Sequence, residues 1–587
     1  MKLNIALATL SLSASIGTVQ CLLRGSSSSE ESASVPSSSL LLESIGDSKC
    51  LSITDEDSCN TSKDDEGLSC VWCKCSAVPS ECLNTEQAKN VPPGVFECAT
   101  PNSTVTDVET DASTDVVTPV SPIVAQPSNP GDKRYDGSLM TYSLTDGEVD
   151  GSLCDPSSKS LSGYVDISGS PYDTDGNKQL FYWFFEKRSK TSNGSDNGNV
   201  ADDEIPLILW LTGGPGCSST LALLTENGPC SVNDDGTSTS VNPNSWTEVA
   251  HMIWLDQPAG VGYSAGTQND YNEEMISEDA YYFLQGFFEM HPEYSTNPLF
   301  VVGESFGGHY APAIAHKVWT KNKSTSSVAD MLHINLAGLA VGNGLTDPMV
   351  QYPYYPEMAY NNSHGMKVVT RETYDAMKEA VPKCVKLIEQ CNAGTSIVNK
   401  FACQTAFVLC NIGLTSPYQV TGLNPYDIRK QCGPHPLCYD FTHIEKFLNL
   451  DSTKAALNVK EDAKWATCNM GINFKFHTDW MKSFSPFVKD LINDNIPTLI
   501  YAGDVDFICN YLGNRAWTLE LDWDHKKEFN DSKEREWGME GKPAAALGRS
   551  SHGFTFLQVY DAGHMVPSDQ PEVALEMMKH FVSNGTF

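Results

Sequence analysis

The chain has 587 residues, enough for a large catalytic domain and further modules. Hydrophobic residues at 40% and aromatics at 10% suit a globular protein, and a formal net charge of −35 makes nucleic acid and anionic membranes poor partners. The acidity is compatible with an acidic compartment, although solubility alone accounts for it.

Residues 1–20 read as a secretory signal peptide: Lys2 is followed by a small, apolar run through about Val19, too short to span a bilayer. With no later run of 18 apolar residues, no integral membrane segment is expected. The expected location is the secretory pathway, ending extracellular or vacuolar/lysosomal. Nineteen cysteines agree with an oxidising compartment. Sequons at Asn60, Asn102, Asn193, Asn322, Asn361, Asn530 and Asn584 are glycosylation candidates. Residues 21–49 are rich in Ser and Glu and read as disordered. Residues 50–98 carry cysteines at 50, 59, 70, 73, 75, 82 and 98, a density that implies a disulfide-stapled module. Zinc is the competing reading of Cys70, Cys73 and Cys75. The odd number leaves one cysteine to an external partner, and the pairing is open. Residues 99–134, dominated by Ser, Thr, Val, Asp and Pro, read as an acidic linker.

Globular patterning occupies residues 135–587. Runs at 180–185, 206–211, 252–255, 298–302, 336–341, 498–501 and 556–560 read as buried strands. Helical patterns alternate with them, notably at 277–290 and 309–319. Near-continuous apolar strands interleaved with helices predict an α/β fold, a largely parallel sheet covered on both faces. Residues of about 348–470 break the rhythm with helical periodicity near 372–390 and six cysteines before Cys468. They read as a helical, disulfide-bonded cap over the active site. The symmetrical spacing of Cys384, Cys391, Cys403 and Cys410 suggests nested bridges, 384–410 and 391–403.

Gly303-Glu304-Ser305-Phe306-Gly307 directly follows an apolar strand, and glycines on both sides of a serine suit a sharp strand-to-helix turn that exposes its hydroxyl. Asp506 and His564 follow later strands, in the order Ser, Asp, His expected of an α/β-hydrolase. His564 would move the Ser305 proton, and Asp506 would orient the imidazole. Asp504, two residues away, is the rival acid. After an earlier strand, Thr212-Gly213-Gly214-Pro215-Gly216-Cys217-Ser218-Ser219 offers a glycine-rich backbone suited to an oxyanion hole.

These segments, with Asn242–Trp246, Leu255–Ser264, Gly342–Leu345, Tyr426–Lys430 and Gly563–Pro567, resemble the serine carboxypeptidases, in particular the carboxypeptidase Y-like branch. The resemblance implies an α/β-hydrolase fold and release of C-terminal amino acids from peptides and proteins through an acyl-enzyme, favoured at acidic pH. Peptides with a free C-terminus are the implied partners, and neither cofactor nor metal is required. Gly214 and Phe306 would supply the oxyanion hole, although Tyr is usual at position 306. Thr212, Gly213, Glu226 and Glu304 would bind the substrate carboxylate, with Thr212 standing where many relatives have Asn. Leu221, Thr225, Tyr426, Tyr439 and Met565 would surround the departing residue, and Phe306, Ile508 and Cys509 the residue before the cleaved bond. Cys509 resembles the family's unpaired thiol. The resemblance further implies Cys217–Cys468 and Cys432–Cys438, and leaves Cys154 and Cys230 outside the pattern. Acyl transfer to an alcohol and noncatalytic binding on the same scaffold are the competing functions; retained Glu226, Glu304 and triad residues favour the peptidase.

Overall fold

A computed structural model describes residues 144–189, 201–324, 331–583, 585 and 587; before them it describes only 58–59, 62–63, 69–74, 81–84, 97–98, 133–135 and 138–140. The expected signal peptide, the Ser/Glu-rich segment, nearly all of the linker and the sequons at Asn60, Asn102, Asn193 and Asn584 lie outside the described residues.

The chain divides into two units, 1–130 with 390–408, and 131–389 with 409–587. In the first, strands Cys70–Lys74, Glu81–Asn84 and Glu97–Cys98 pair antiparallel, and Cys59 and Cys70 each belong to a disulfide. Cys391–Cys403 also belongs to this unit.

The second unit is built on an 11-stranded sheet. Its strands are β1 (Leu144–Glu148), β2 (Ser160–Asp166), β3 (Gln179–Phe185), β4 (Leu207–Thr212), β5 (His251–Leu255) and β6 (Leu299–Glu304). They continue with β7 (Leu336–Gly342), β8 (Thr498–Gly503), β9 (Arg535–Trp537), β10 (Ala546–Ser551) and β11 (Phe554–Val559). The centre, β5-β4-β6-β7-β8-β11, is parallel, as the buried apolar runs predict. Antiparallel strands flank it on both sides, β3-β2-β1 beyond β5 and β10-β9 beyond β11. Trp183, Trp210 and Trp254 are fully buried on these strands.

Polar side-chain caps start two of the helices that cover the sheet. Helix α1 (Ser219–Thr225) starts at Ser218, whose hydroxyl accepts from Thr220 N. Helix α2 (Glu273–Met290) starts at Asn272, whose side chain accepts from Met275 N. Helix α3 (Gly307–Lys323) leaves the Ser305 turn directly. The insertion contains α4 (Arg371–Asn392) and α5 (Ile397–Cys410), and the nested bridges Cys384–Cys410 and Cys391–Cys403 are both present. The stretch Ile397–Gln419 has the length and apolarity of a membrane span, yet Cys403 and Cys410 within it are bridged to the preceding helix. Among the described sequons Asn361 and Asn530 are exposed, whereas the half-buried Asn322 amide both donates to and accepts from the Ile334 backbone.

Cys154 and Cys230, left unassigned by the family pattern, pair with each other across 76 residues. Next to them Arg188 is 2% exposed; its Nε donates to Asp155 (2.6 Å), Nη1 to Glu248 (2.8 Å), and Nη2 to the carbonyls of Pro229 and Asn242 (3.2 and 2.9 Å). Disulfide and guanidinium together fix the chain that follows Glu226. Replacing both cysteines with serine is expected to cost about 2–4 kcal/mol by releasing a long loop in the unfolded chain. The loss is read as a lower guanidinium chloride midpoint; an unchanged midpoint contradicts it.

Candidate active site

Loops at the carboxyl ends of neighbouring parallel strands converge, because register places Glu304 beside both Thr212 and Gly342. Ser305 is on a tight turn with φ 63°, a left-handed conformation that a non-glycine residue holds only under constraint. Its amide donates to Gly342 O (3.2 Å), and its carbonyl accepts from Gly308 N and Leu345 N (both 2.9 Å). The flanking glycines are steric requirements: a Cβ on Gly303 would lie 2.3 Å from Gly307 O, and one on Gly307 2.7 Å from Leu211 O.

The loop after β8 supplies Asp506, fully buried. Its Oδ2 accepts from His564 Nδ1 (2.7 Å), Asn343 Nδ2 (2.9 Å) and Cys509 N (3.2 Å), while Oδ1 accepts from Ile508 N (3.0 Å). Asn343 is itself held by Gly503 N, which donates to its Oδ1 (3.1 Å). Asp504, the rival acid, makes no such contact with the imidazole; it accepts from Asp561 N (2.8 Å) and pairs with His364 (3.0 Å). The loop carrying His564 is held at its own amides: His564 N donates to Tyr426 O (2.8 Å) and Gly563 N to Asp569 Oδ2 (2.7 Å).

A cavity of about 240 Å³ gathers Ser305 and His564 with Thr212, Gly213, Gly214, Leu221, Glu226, Glu304, Tyr426, Tyr439 and Met565. It thus unites most residues singled out from the sequence. The insertion contributes walls through Tyr426, Leu437, Tyr439, Phe441 and Met470, and Asn473 follows it. A larger cavity of about 500 Å³ lies at the opposite ends of β8 and β11, near Pro497 and Gly553. It collects serines, His552, Lys533 and Arg535, with no Asp or Glu side chain among the described residues that line it, so size is a poor guide here.

Glu226 and Glu304 are 5% and 3% exposed, line the same cavity and lie close enough to interact. Burial pushes Glu226 up to about 7. Burial, reinforced by the charge of Glu226, holds Glu304 well above the usual carboxyl range. Glu226 Oε2 and Glu304 Oε2 are buried without a hydrogen-bond partner in the protein. Thr212 Oγ1 accepts from Trp210 Nε1 (3.0 Å), which leaves its hydroxyl proton able to donate. The N–H groups of Gly214 and Phe306 make no hydrogen bond to a described protein acceptor. The two loops touch there, since a Cβ on Gly213 would fall 2.3 Å from Phe306 N.

Other pocket expectations are placed differently. The Phe306 ring packs among His309, Tyr310, Phe476 and Trp480. Thr225, Ile508 and Cys509 are absent from the cavity lining. The Thr225 hydroxyl donates to Leu221 O within its helix (2.8 Å), and Ile508 O accepts from Tyr355 (2.7 Å). Cys509 is buried with a free thiol, which burial holds well above the ordinary thiol range. Cys217–Cys468 and Cys432–Cys438 are both present, and the former lines the cavity.

A serine on a strained strand-to-helix elbow, an aspartate–histidine pair and this sheet order place the chain among the α/β-hydrolases. The serine carboxypeptidase family profile matches residues 151–584. Carboxypeptidase Y of Candida albicans is 42% identical over 428 residues, covering 72% of this chain and 73% of that protein. Carboxypeptidase Y homolog A of Leptosphaeria maculans is 40% identical over 460 residues, covering 77% and 79%. A solved prohormone-processing carboxypeptidase from Saccharomyces cerevisiae shares the fold, with TM-score 0.64 and 24% identity over 74% of this chain and 95% of that one. The chain belongs to the serine carboxypeptidase family.

Proposed function

We propose that this serine carboxypeptidase acts through Ser305, His564 and Asp506, and selects free C-termini with Glu226 and Glu304. The observation that carries the reading is one cavity containing the serine, the imidazole and two buried, interacting carboxyls. With Nδ1–H committed to Asp506, His564 presents a bare Nε2 that takes the Ser305 proton as the hydroxyl attacks the peptide carbonyl. The N–H groups of Gly214 and Phe306 stabilise the oxyanion. Collapse breaks the C–N bond; His564 returns the proton to the departing amine, leaving an acyl-enzyme that water hydrolyses by the same relay.

Protonated Glu226 and Glu304 donate hydrogen bonds to the substrate carboxylate, with Thr212 and Gly213 beside them. Their partnerless oxygens are the groups such a ligand would satisfy. Leu221, Tyr426, Tyr439 and Met565, joined by Leu437 and Phe441, surround the departing side chain and favour apolar residues. Peptides and proteins delivered through the secretory pathway are the proposed substrates, in an extracellular or vacuolar/lysosomal setting.

Diisopropyl fluorophosphate should label Ser305 stoichiometrically and abolish hydrolysis of a blocked dipeptide, while Ser305→Ala remains unlabelled. Labelling elsewhere, or activity surviving Ser305→Ala, rejects the mechanism. The same dipeptide with an amidated C-terminus should be a much poorer substrate.

A further inference from the structure

We propose that Asp504, assisted by His364, is a positioning residue that fixes the loop carrying His564; this rests on the reading of His564 as general base. The parallel pairing of β8 with β11 ends in register at Gly503 and Val559, and the chains then continue side by side without a regular ladder. Asp504 N still donates to Val559 O (3.0 Å), and Val505 N donates to Ala562 O (3.0 Å). Between those contacts lies Asp561, with φ 57°. Its amide is taken by the Asp504 side chain (2.8 Å), while its carbonyl accepts from Arg429 Nη2 (3.2 Å) and Gln570 Nε2 (3.3 Å). A left-handed residue three positions before His564 is thus clamped on both faces of its backbone.

The two acids of one loop divide the work. Asp506 grips the imidazole; Asp504 grips the backbone that delivers it. Both are buried, Asp504 at 3% exposure, and they are tied by the short chain between them. The second oxygen of Asp504 is held by His364 Nε2 at 3.0 Å, from a loop of the helical insertion. That loop is rigid by construction, because Asn362 donates to Met358 O and Met366 O and accepts from the amides of His364 and Met366. Insertion, acid loop and base loop therefore meet at one carboxylate. A carboxylate held at both oxygens has a fixed direction, and small errors in base placement are costly, up to about 10²-fold for a shift of about 1 Å.

The test compares Asp504→Ala, Asp504→Asn and His364→Ala, with rates normalised to folded protein. Two readouts are used: kcat and KM for a blocked dipeptide, and the rate constant for phosphorylation of Ser305 by diisopropyl fluorophosphate, which displaces fluoride and needs no carboxylate recognition. Asp504→Ala should lower kcat and the phosphorylation rate together by about tenfold or more, with KM within about twofold. Asp504→Asn keeps an acceptor for Asp561 N and should recover to within about threefold of wild type. The double variant Asp504→Asn/His364→Ala should be no slower than Asp504→Asn, since both act through one contact. Wild-type rates in Asp504→Ala, or a defect confined to KM, would overturn the proposal. Should Asp504→Ala not fold, His364→Ala decides: a normal phosphorylation rate overturns the proposal, and a slowed rate at unchanged KM supports it. Failure of wild-type enzyme to label at Ser305 would instead remove the reading beneath it.

Discussion

Asp506→Asn is expected to lower kcat by about 10⁴-fold while KM moves little, because the defect would lie in the transition state. The size follows from the donors around this carboxylate. Three converge on Oδ2, from His564, Asn343 and Cys509, and a fourth reaches Oδ1 from Ile508. An ionised carboxylate accepts all four. Asn offers one acceptor oxygen, and its NH₂ must then face either the Oδ2 cluster or the Ile508 amide. Imidazole relieves the clash most readily by giving up its Nδ1 proton and carrying one at Nε2, the nitrogen needed to receive the Ser305 proton. Binding of the substrate carboxylate involves other residues, hence the small change in KM. A kcat within tenfold of wild type, measured on enzyme shown to be folded, would reject Asp506 as the orienting acid. The matched substitution Asp504→Asn should cost far less, which separates two acids that the sequence alone cannot rank.

The strands most visible in the sequence are those buried on both faces. β4 and β8 announce themselves as apolar runs, and their observed bounds differ by a residue or two. β1 and β2 are not legible, since Leu144-Thr145-Asp146-Gly147-Glu148 and Ser160-Leu161-Ser162-Gly163 mix polar and small residues at the sheet's periphery, where β1 is the edge. The elbow glycines are legible because close packing excludes any Cβ there. Asn343 was readable only as part of a motif; its grip on Asp506 depends on β7 and β8 being neighbours, which no local pattern encodes. The same holds for Leu437, Phe441 and Met470, whose place in the cavity wall follows from how the insertion returns to the sheet. Cysteine spacing revealed the nested pair, since both partners lie within one short segment. Cys154–Cys230 spans 76 residues and could not be deduced from spacing.

KM for a peptide with a free C-terminus is expected to be lowest in acid and to rise about tenfold per pH unit above about 7, the slope for loss of one required proton. The substrate carboxylate is ionised above about pH 4, so it needs donors throughout that range. On the proposed reading Glu226 and Glu304 supply them, only while protonated, and burial raises the affinity of both for protons. The sign follows: below about 7 the site holds its protons and attracts the ligand, whereas above it Glu226 ionises first and repels a like charge. Glu304→Gln substitutes an amide donor that does not titrate, so neutral activity should rise relative to acid activity. Combining it with Glu226→Gln should flatten KM altogether. The amidated dipeptide provides the control, because its binding never required those protons and its weak KM should be insensitive to this ionisation. A wild-type KM that stays level between about pH 4.5 and 8 would mean that the paired glutamates do not read the C-terminus, since neither could then be acting as the proton-bearing donor on which recognition of an anion in a buried acidic pocket depends.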